Sequence, residues 1–277
     1  MTQQLFRDQV VLLTGASSGI GAALAREFSR QGARVALAAR RTELLDGLVE
    51  ELGADRTLAV TCDVTKEGDP EKAVARVVQT WGRLDTVVAN AGFAVAGRFE
   101  RLTMDDHRRQ LETNLFGVIR TAQAAIPELR KTKGRLGIVG SVNGYIGTPA
   151  TSSYCMSKFA VRGLAQSLGY ELAGDGISVT HIAPGFVESE IRFKDNKGIH
   201  DPMTKDPVPS WLVAPASSAA REIVMALHRR KHERVVTFHG KVFVFLERHT
   251  PWFVRLVAGR VDGEKRTAGE TPSPNPG

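Results

Sequence analysis

Short apolar runs rich in β-branched residues alternate along the chain with longer segments of helical periodicity. Runs of this kind are typical of parallel strands that are buried on both faces. The alternation predicts an α/β fold in which a doubly wound parallel sheet of about seven strands carries helices on both faces. The predicted strands are Gln9–Thr14, Arg34–Ala39, Thr57–Cys62, Leu84–Ala89, Leu136–Ser141, Ile177–Ile182 and Val235–Phe238.

A glycine-rich turn, TGASSGIG at residues 14–21, follows the first predicted strand and opens an alanine-rich helix. Glycines here permit a tight turn and a close approach of a pyrophosphate, while the helix N-terminus favours an anion. Because a buried strand precedes the turn and a helix follows it, we expect a dinucleotide site and not a merely structural turn. The predicted cofactor contacts in this turn are Gly15, Ser17, Ser18, Gly19, Ile20 and Gly21.

The second predicted strand ends in Ala39-Arg40-Arg41. A dinucleotide fold that prefers NAD often places an acidic residue there, which binds the ribose hydroxyls. Two guanidinium groups in place of that carboxylate suit a 2′-phosphate, so the sequence favours NADP(H) over NAD(H). The alternative is that Arg40 and Arg41 form a solvated start of the next helix.

Further candidate residues follow the third, fourth and sixth strands, whose carboxyl ends meet at the same edge of a parallel sheet. After the third strand, Asp63 either contacts the adenine or caps a turn. After the fourth, the small residues of NAG let the backbone approach a cofactor, and after the sixth, PGF breaks the chain. The predicted cofactor contacts are Asp63, Val64, Asn90, Ala91, Gly92, Pro184 and Gly185.

Tyr154 and Lys158 are four residues apart in YCMSK, so on a helix they project from one face, one turn apart. An ammonium about 4 Å from a phenol, at an effective dielectric of about 20, favours the phenolate by roughly 4 kcal/mol. That energy corresponds to about three pKa units and predicts a tyrosine pKa of about 7. Such a tyrosine is suited to proton exchange with an alcohol or ketone.

Two more polar residues complete the candidate catalytic set. Ser141 closes the fifth predicted strand at the same sheet edge. Asn114 lies inside a helical pattern, where asparagine is a poor helix former, so it has either a buried polar role or an exposed position. The candidate catalytic residues are therefore Asn114, Ser141, Tyr154 and Lys158.

Taken together, these motifs resemble those of the short-chain dehydrogenase/reductase family. TGxxxGxG, NAG, the Asn, the Ser, YxxxK and PG occur in this order and at family-like spacing over about residues 7–240. The resemblance implies a Rossmann-type fold and hydride transfer between a nicotinamide cofactor and an alcohol or ketone, without a metal. It also implies that Val187 and Ser189 contact the nicotinamide carboxamide. Ser189 stands where Thr is commoner, and Ala89 replaces a frequent Asn ahead of NAG.

The resemblance also assigns roles to the four candidate catalytic residues. Tyr154 would be the general acid/base, and Lys158 would bind the nicotinamide ribose and lower the tyrosine pKa. Ser141 would hydrogen-bond the substrate oxygen, and Asn114 would hold a water that links Lys158 to solvent. The helices that carry Asn114 and Tyr154 commonly form interfaces in the family, which implies a homodimer or homotetramer.

Composition narrows the surroundings in which the protein works. Two cysteines far from any CxxC or metal-ligand spacing predict neither a disulfide framework nor a zinc site, which fits a cytoplasmic protein. The net charge is +7, and residues 221–277 hold eleven Lys or Arg against six Asp or Glu. Because no aromatic-basic interleaving or helix-turn-helix pattern accompanies the charge, no nucleic-acid binding is predicted, and an anionic membrane surface is favoured.

The domain prediction has three parts. Residues 1–240 form the dinucleotide-binding catalytic domain, with an irregular, proline-bearing substrate lid at 186–214. Residues 241–263 form a hydrophobic, basic appendage, in which Pro251 separates two apolar segments too short to span a bilayer. Over about 241–260 it could contact a membrane surface, dock on a partner subunit or cover its own pocket. Residues 264–277 are polar and predicted to be disordered.

The sequence thus predicts an NADP(H)-dependent oxidoreductase acting on a secondary alcohol or ketone. An apolar carbonyl substrate is inferred from lid and tail residues Phe186, Phe193, Trp211 and Trp252. The alternative is a catalytically silent NADP(H)-sensing protein on the same fold, although a sensor has no need of the intact catalytic set. A membrane-associated scaffold that uses the tail is a third hypothesis.

Overall fold

Strands and helices alternate along the chain. A computed structural model describes residues 4–193, 196 and 208–257. The strands are β1 (Val10–Thr14), β2 (Arg34–Ala39), β3 (Thr57–Thr61), β4 (Thr86–Ala89), β5 (Arg135–Val139), β6 (Ser178–Pro184) and β7 (Glu233–Val236). The helices are α1 (Gly19–Arg30), α2 (Thr42–Leu52), α3 (Asp69–Trp81), α4 (Met104–Leu111), α5 (Gly117–Thr132), α6 (Ser152–Glu171), α7 (Ala216–His228) and α8 (Phe238–His249).

The seven strands form one parallel sheet in the order β3-β2-β1-β4-β5-β6-β7. The predicted α/β doubly wound fold is therefore confirmed, and the predicted strand limits are within two residues of those observed. The prediction was wrong at the end of β7, because Phe238 begins α8 instead of ending the strand. Thr237 turns the chain there with a positive φ of 79°, and its hydroxyl accepts a hydrogen bond from Gly240 N.

Each strand contributes side chains to two cores, one on each face of the sheet. In β1, Val11 and Leu13 pack into the core beneath α1 and α7, whereas Val10 and Leu12 pack into the core beneath α3, α5 and α6. Successive residues of a strand point to opposite faces, so a strand buried on both sides is apolar throughout. The continuous apolar run of β1 follows from this arrangement.

The carboxyl ends of β1 and β4 adjoin at the centre of the sheet. The chain proceeds from β1 outward to β3 and then returns to the other side of β1, where β4 pairs with it. At such a topological switch point the connections leave in opposite directions, and a crevice opens between them. The glycine-rich turn after β1 and the NAG turn after β4 are in contact at this crevice.

Helix α8 belongs to the packed structure. Its side chain Val244 is buried with Val142, Tyr145 and Ala183, beside the loop that follows β5. Because α8 begins at Phe238, the predicted domain limit at residue 240 falls within its first turn. The helix ends at His249, and a second helical segment, 251–257, begins at Pro251, as predicted for this proline.

Three predictions fall wholly or partly outside the described residues. These are the central part of the lid, 194–207 apart from residue 196, the end of the appendage, 258–263, and the predicted disordered tail, 264–277. The side chain of Phe193 is outside them as well. In the part of the chain that the structure describes, no helix is long and apolar enough to cross a bilayer.

Candidate active site

One cleft, with a volume of about 660 Å³, lies at the carboxyl edge of the sheet. Every predicted site residue except Asn114 lines it. The sequence placed these residues at one edge from the order of the strands, and the structure brings them together there. The predicted residues that line the cleft are Gly15, Ser17, Ser18, Gly19, Ile20, Gly21, Arg40, Arg41, Asp63, Val64, Asn90, Ala91, Gly92, Ser141, Tyr154, Lys158, Pro184, Gly185, Val187 and Ser189.

The glycine turn is packed so closely that side chains are excluded at two positions. A Cβ on Gly21 would lie 2.1 Å from Gly15 O, and a Cβ on Gly15 would lie 2.7 Å from the Ala91 Cα. Asn90 ties the turn to β4, since its amide donates to Thr14 O at 3.0 Å and Gly15 O at 3.1 Å. The result is a rigid backbone cradle at the N-terminus of α1.

Arg41 points into the cleft beside this cradle. Its guanidinium donates hydrogen bonds to Ser17 Oγ at 3.1 Å and Ser18 Oγ at 3.0 Å. It also forms an ion pair with Glu190, at the start of the lid, with an N–O distance of 3.1 Å. Arg40 also lines the cleft but is more exposed than Arg41.

Asp63 caps a turn. Its Oδ1 accepts hydrogen bonds from Thr65 N at 3.1 Å and from the Thr65 hydroxyl at 2.8 Å. This is the local turn that an Asx side chain commonly makes. Asp63 also lines the cleft, and its contact with the adenine stays a prediction.

Asn114 is buried, in a π-helical segment, Glu112–Phe116, between α4 and α5. Its amide is matched to the backbone of Phe93: Oδ1 accepts from Phe93 N at 3.1 Å, and Nδ2 donates to Phe93 O at 2.9 Å. The same Nδ2 is 3.3 Å from Ser157 Oγ. These bonds explain an asparagine inside a helix: it anchors the loop after β4, one residue beyond NAG.

Tyr154 and Lys158 lie on α6, one turn apart, as predicted. Lys158 Nζ is 5.6 Å from the centroid of the Tyr154 ring and donates a hydrogen bond to Val139 O at 3.0 Å. The ammonium therefore stands over the ring and is bonded to β5. Among the described residues, Val139 O is its one hydrogen-bond acceptor, which leaves two of its three N–H bonds for a ligand.

The predicted lowering of the tyrosine pKa was wrong for this structure. Burial raises the pKa of Tyr154 to about 12, and a hydrogen bond with Ser141 acts in the opposite direction. Burial also lowers the pKa of Lys158 to about 8. The sequence argument counted the attraction of an ammonium about 4 Å from the phenol, whereas burial is the largest cause of both shifts in the structure.

Ser141 begins the short turn that follows β5. Its hydroxyl accepts a hydrogen bond from Asn143 N at 3.1 Å, and the side chain is nearly buried at the cleft. The next loop residues carry Tyr145, whose hydroxyl is 3.2 Å from His181 Nδ1. The serine is thus presented by a turn that is itself fixed to β6.

The two ends of the predicted lid are paired with each other. Val187 pairs with Ala214 in an isolated parallel bridge, so the segment leaves and returns at one place. Between these ends, Asn196 exchanges two hydrogen bonds of 2.9 Å with the backbone of Ala96, in the loop after β4. Asn196 therefore lies against the loop that follows β4.

Several cleft residues were not predicted from the sequence. Glu190 is paired with Arg41, 149 residues away along the chain, and no local pattern indicates such a pair. Cys62 also lines the cleft, but burial raises the pKa of its thiol to about 12, so it is not a thiolate at neutral pH. The others are Ala39, Thr65, Phe93, Arg108, Arg109, Glu112, Thr113, Val139, Gly140 and Ile191.

The residues present fit a nicotinamide dinucleotide. The backbone cradle of Gly15 and Gly21 suits a pyrophosphate, because it has no room for side chains and ends at a helix N-terminus. At the other end of the cleft, Lys158 holds unused N–H donors next to Tyr154 and Ser141. Donors of this kind suit ribose hydroxyls.

Comparisons with known proteins agree with this description. The family model of the short chain dehydrogenases matches residues 9–199. The chain is 35% identical over 239 residues to 11-beta-hydroxysteroid dehydrogenase 1A of Arabidopsis thaliana, which covers 83% of this chain and 68% of that protein. A short-chain type dehydrogenase/reductase from Mycobacterium marinum has a TM-score of 0.63 and 31% identity, covering 66% of this chain and 76% of that chain.

A more distant structure also has this fold. It is a 3-ketoacyl-(acyl-carrier-protein) reductase from Brucella melitensis, complexed with NADH. Its TM-score is 0.74 at 24% identity, over 83% of this chain and 97% of that chain. At this identity the likeness supports the fold alone.

The chain belongs to the short-chain dehydrogenase/reductase family, as its motifs indicated. It is therefore a member of a family of oxidoreductases that bind a nicotinamide cofactor and act on small molecules. The roles predicted for the individual side chains stay predictions.

We expect Gly21→Ala to weaken cofactor binding at least tenfold, because its Cβ would lie 2.1 Å from Gly15 O and displace the cradle. Gly47→Ala on α2 is the matched control, since no atom lies within 4 Å of the Cβ it would add. Binding of NADPH and NADH is measured by fluorescence titration, and melting temperature reports folding. A folded Gly21→Ala protein with wild-type affinity would show that the cradle does not hold the cofactor.

Proposed function

We propose that the protein is an NADP(H)-dependent oxidoreductase of secondary alcohols and ketones, and that it reduces an apolar carbonyl. The observation that carries the proposal is the arrangement of Ser141, Tyr154 and Lys158 at one end of the cleft that the glycine turn and Arg41 line at the other. A protein that only senses a dinucleotide needs the glycine turn and Arg41, but it does not need Ser141, Tyr154 and Lys158 together.

The proposed chemistry rests on three side chains. The nicotinamide, when bound, supplies or takes up the hydride. Tyr154 holds a proton at neutral pH, because its pKa is about 12, and donates it to the oxygen of a carbonyl substrate. Ser141, hydrogen-bonded to Tyr154, orients that oxygen. Lys158, whose pKa is about 8, carries its charge at neutral pH and stabilises the phenolate that forms.

Tyr154 holds its proton at neutral pH, as a general acid for carbonyl reduction must, and its phenolate would serve as the base in the reverse oxidation of an alcohol. The apolar substrate is inferred from the lid and tail, where Phe186, Trp211 and Trp252 are 36%, 82% and 67% exposed. The Arabidopsis thaliana relative named as a hydroxysteroid dehydrogenase fits an apolar substrate.

Tyr154→Phe removes the proposed proton and should lower kcat with NADPH by about 10² to 10⁴, the usual contribution of a general acid. NADPH affinity should stay within about threefold of wild type. Tyr170→Phe is the matched control, because this tyrosine lies on the same helix and is 83% exposed. The assay is a panel of ketones and alcohols with NADPH, NADH and their oxidised forms.

The outcomes separate the proposal from its rival. Turnover by wild type that is lost in Tyr154→Phe supports the enzyme. Tight NADPH binding by wild type with no turnover of any panel compound would favour the NADP(H)-sensing protein. Equal turnover by wild type and Tyr154→Phe would remove Tyr154 as the acid.

The preference for NADP(H) is proposed from Arg41 and the two serines. The guanidinium of Arg41, with the hydroxyls of Ser17 and Ser18, forms a compact group of donors that suits a 2′-phosphate. Glu190 pairs with the same guanidinium and would compete with that phosphate. The cofactor preference therefore depends on whether the Arg41 guanidinium binds the 2′-phosphate or the Glu190 carboxylate more strongly.

Arg41→Ala should raise the Kd for NADPH about tenfold or more, the worth of a charge-assisted hydrogen bond, and change the Kd for NADH little. Arg40→Ala, which removes the exposed neighbour, should have a smaller effect. Glu190→Gln should lower the Kd for NADPH, because Arg41 would then have no competing carboxylate. Equal Kd ratios for NADPH and NADH in wild type and Arg41→Ala would contradict the assignment.

The exposed side of the C-terminal helices supports a contact with a membrane surface. Phe238, Val242 and Phe245 lie on one face of α8, and Trp252 follows in the segment 251–257; all are exposed. Aromatic side chains with nearby basic residues are typical of interfacial helices. We propose peripheral contact through this part of the predicted region 241–260, for a protein that is otherwise cytoplasmic.

Phe245→Ser with Trp252→Ser should reduce co-sedimentation with vesicles that contain anionic phospholipid. The control is Phe99→Ser with Tyr170→Ser, which removes two aromatic side chains of similar exposure far along the chain. Vesicles of zwitterionic lipid should bind less than anionic ones. Negligible binding of wild type to both kinds of vesicle would remove the membrane proposal.

The homodimer or homotetramer implied by the resemblance stays a prediction. The molecular mass of the purified protein in solution would give the oligomeric state. Exposed apolar side chains on the helices concerned, Phe116, Met156 and Phe159, are compatible with an interface there.

A further inference from the structure

The turn that joins β6 to the lid is enclosed by residues from the start of α8. Gly185 has no room for a side chain, because a Cβ there would lie 2.4 Å from His239 Nε2 and 2.5 Å from Thr237 Oγ1. Gly185 itself lines the cleft, as do Pro184 and Val187 on either side of it. One wall of the cleft is therefore backed by the first residues of α8.

His239 holds this turn by a hydrogen bond and a stacked ring. Its Nε2 accepts from Phe186 N at 2.8 Å. Its ring stacks on the Phe186 ring with centroids 5.5 Å apart and planes at 23°. Thr237 Oγ1 is 3.1 Å from the same Nε2. His239 does not line the cleft, so any effect it has on the cleft passes through residues 185–187.

The backbone that presents His239 is strained. Thr237 has a φ of 79° and a ψ of 145°, a conformation that a β-branched residue rarely adopts. Its hydroxyl accepts from Gly240 N and so caps α8. Strain of this kind persists where the surrounding structure enforces it, and it is concentrated at functional sites. Here the strained turn places the imidazole against Phe186.

We propose that His239 is a positioning residue, which fixes the wall of the cleft at residues 185–187 and the entry of the lid by accepting the Phe186 N–H on Nε2. The inference rests on the proposed function for its catalytic consequence, but the hydrogen bond itself can be tested without turnover. Neither the family model, which ends at residue 199, nor the motifs include this histidine.

The role requires a neutral imidazole. A protonated ring has an N–H on both nitrogens, so Nε2 can no longer accept from Phe186. Burial lowers the pKa of His239 below its ordinary value of 6.5, which keeps the ring neutral at pH 7. As the pH falls through this lowered pKa, the imidazole gains a proton and the hydrogen bond is lost.

The charged groups on the surrounding elements are directed elsewhere. On α8, Lys241 bonds to Glu222, and Arg248 bonds to Glu233 of β7. Arg234 of β7 also bonds to Glu222. In the lid, Glu188 accepts from Ala216 N and Glu190 pairs with Arg41. The turn 142–144 that packs on α8 has no ionisable side chain.

Two substitutions of His239 distinguish the effect of its hydrogen-bond acceptor from the effect of its ring stacking. His239→Phe keeps an aromatic ring for stacking and removes the acceptor, whereas His239→Gln keeps an acceptor and does not titrate. His249→Gln is the matched control: this histidine is exposed on the same helix and stacks on Phe245. The first measurement is hydrogen exchange of the Phe186 amide in the full chain at pH 7.5.

We expect His239→Phe to increase exchange at Phe186 at least tenfold, and His239→Gln and His249→Gln to stay within about threefold of wild type. The Kd for NADPH should rise about fivefold in His239→Phe and be restored in His239→Gln. Wild-type exchange at Phe186 in His239→Phe would overturn the proposal. Faster exchange with unchanged NADPH affinity would overturn the positioning role.

The pH profile supplies the last distinction. NADPH affinity of wild type and His249→Gln should fall as the pH drops through the lowered pKa of His239, and His239→Gln should lose this acidic limb. An identical acidic limb in His239→Gln would overturn the dependence on a neutral imidazole. Should the wild type bind NADPH in this way yet turn over no substrate, the proposed function fails while the positioning role stands.

Discussion

The junction of β1 and β4 is the constraint on which the site depends. Thr14 Oγ1 accepts hydrogen bonds from Asn90 N at 3.0 Å and Ala91 N at 3.2 Å, and the Asn90 amide returns two bonds to Thr14 and Gly15. Two adjacent strands whose connections leave in opposite directions would otherwise end in two independent loops. These bonds make the two turns one rigid edge, and the crevice has a fixed shape before any ligand enters.

Electrostatics at the other end of the cleft are decided by burial. Lys158 and Tyr154 lie one turn apart, yet the lysine pKa is lowered and the tyrosine pKa is raised, as desolvation requires for a cation and an acid. Both shifts favour the neutral forms, but Lys158, with a pKa of about 8, is still charged at neutral pH while Tyr154 is neutral. In the proposed reaction, a substrate oxygen that takes the proton of Tyr154 would create the anion that Lys158 would stabilise.

The sequence predicted those features that local pattern determines. Buried parallel strands are apolar throughout, and the strand order places their carboxyl ends at one edge, so the lining of the cleft followed from motif positions. The Arg41–Glu190 pair did not, because it joins residues 149 apart through an irregular lid. The pKa of Tyr154 could not be predicted either, because spacing gives the distance to Lys158 but not the burial of the pair. The start of α8 was missed because it depends on the unusual backbone of Thr237.

Helix α8 is connected to the turn that carries Ser141 as well as to residues 185–187. Arg248 bonds to Glu233 at 2.7 Å, Glu233 is hydrogen-bonded to Tyr145, and the Tyr145 hydroxyl meets His181 Nδ1 at 3.2 Å. His181 in turn fills the space beside Gly140, where a Cβ would lie 2.2 Å from its Nε2. Gly140 immediately precedes Ser141, so this series of polar contacts ends at the turn that carries the serine.

Helix α8, which lies beyond the residues that the family model matches, is therefore connected to both walls of the cleft. His239 connects it to residues 185–187, and Glu233 and Tyr145 connect it to residues 140–145. We therefore expect changes in α8 to alter the geometry of the cleft at these two places.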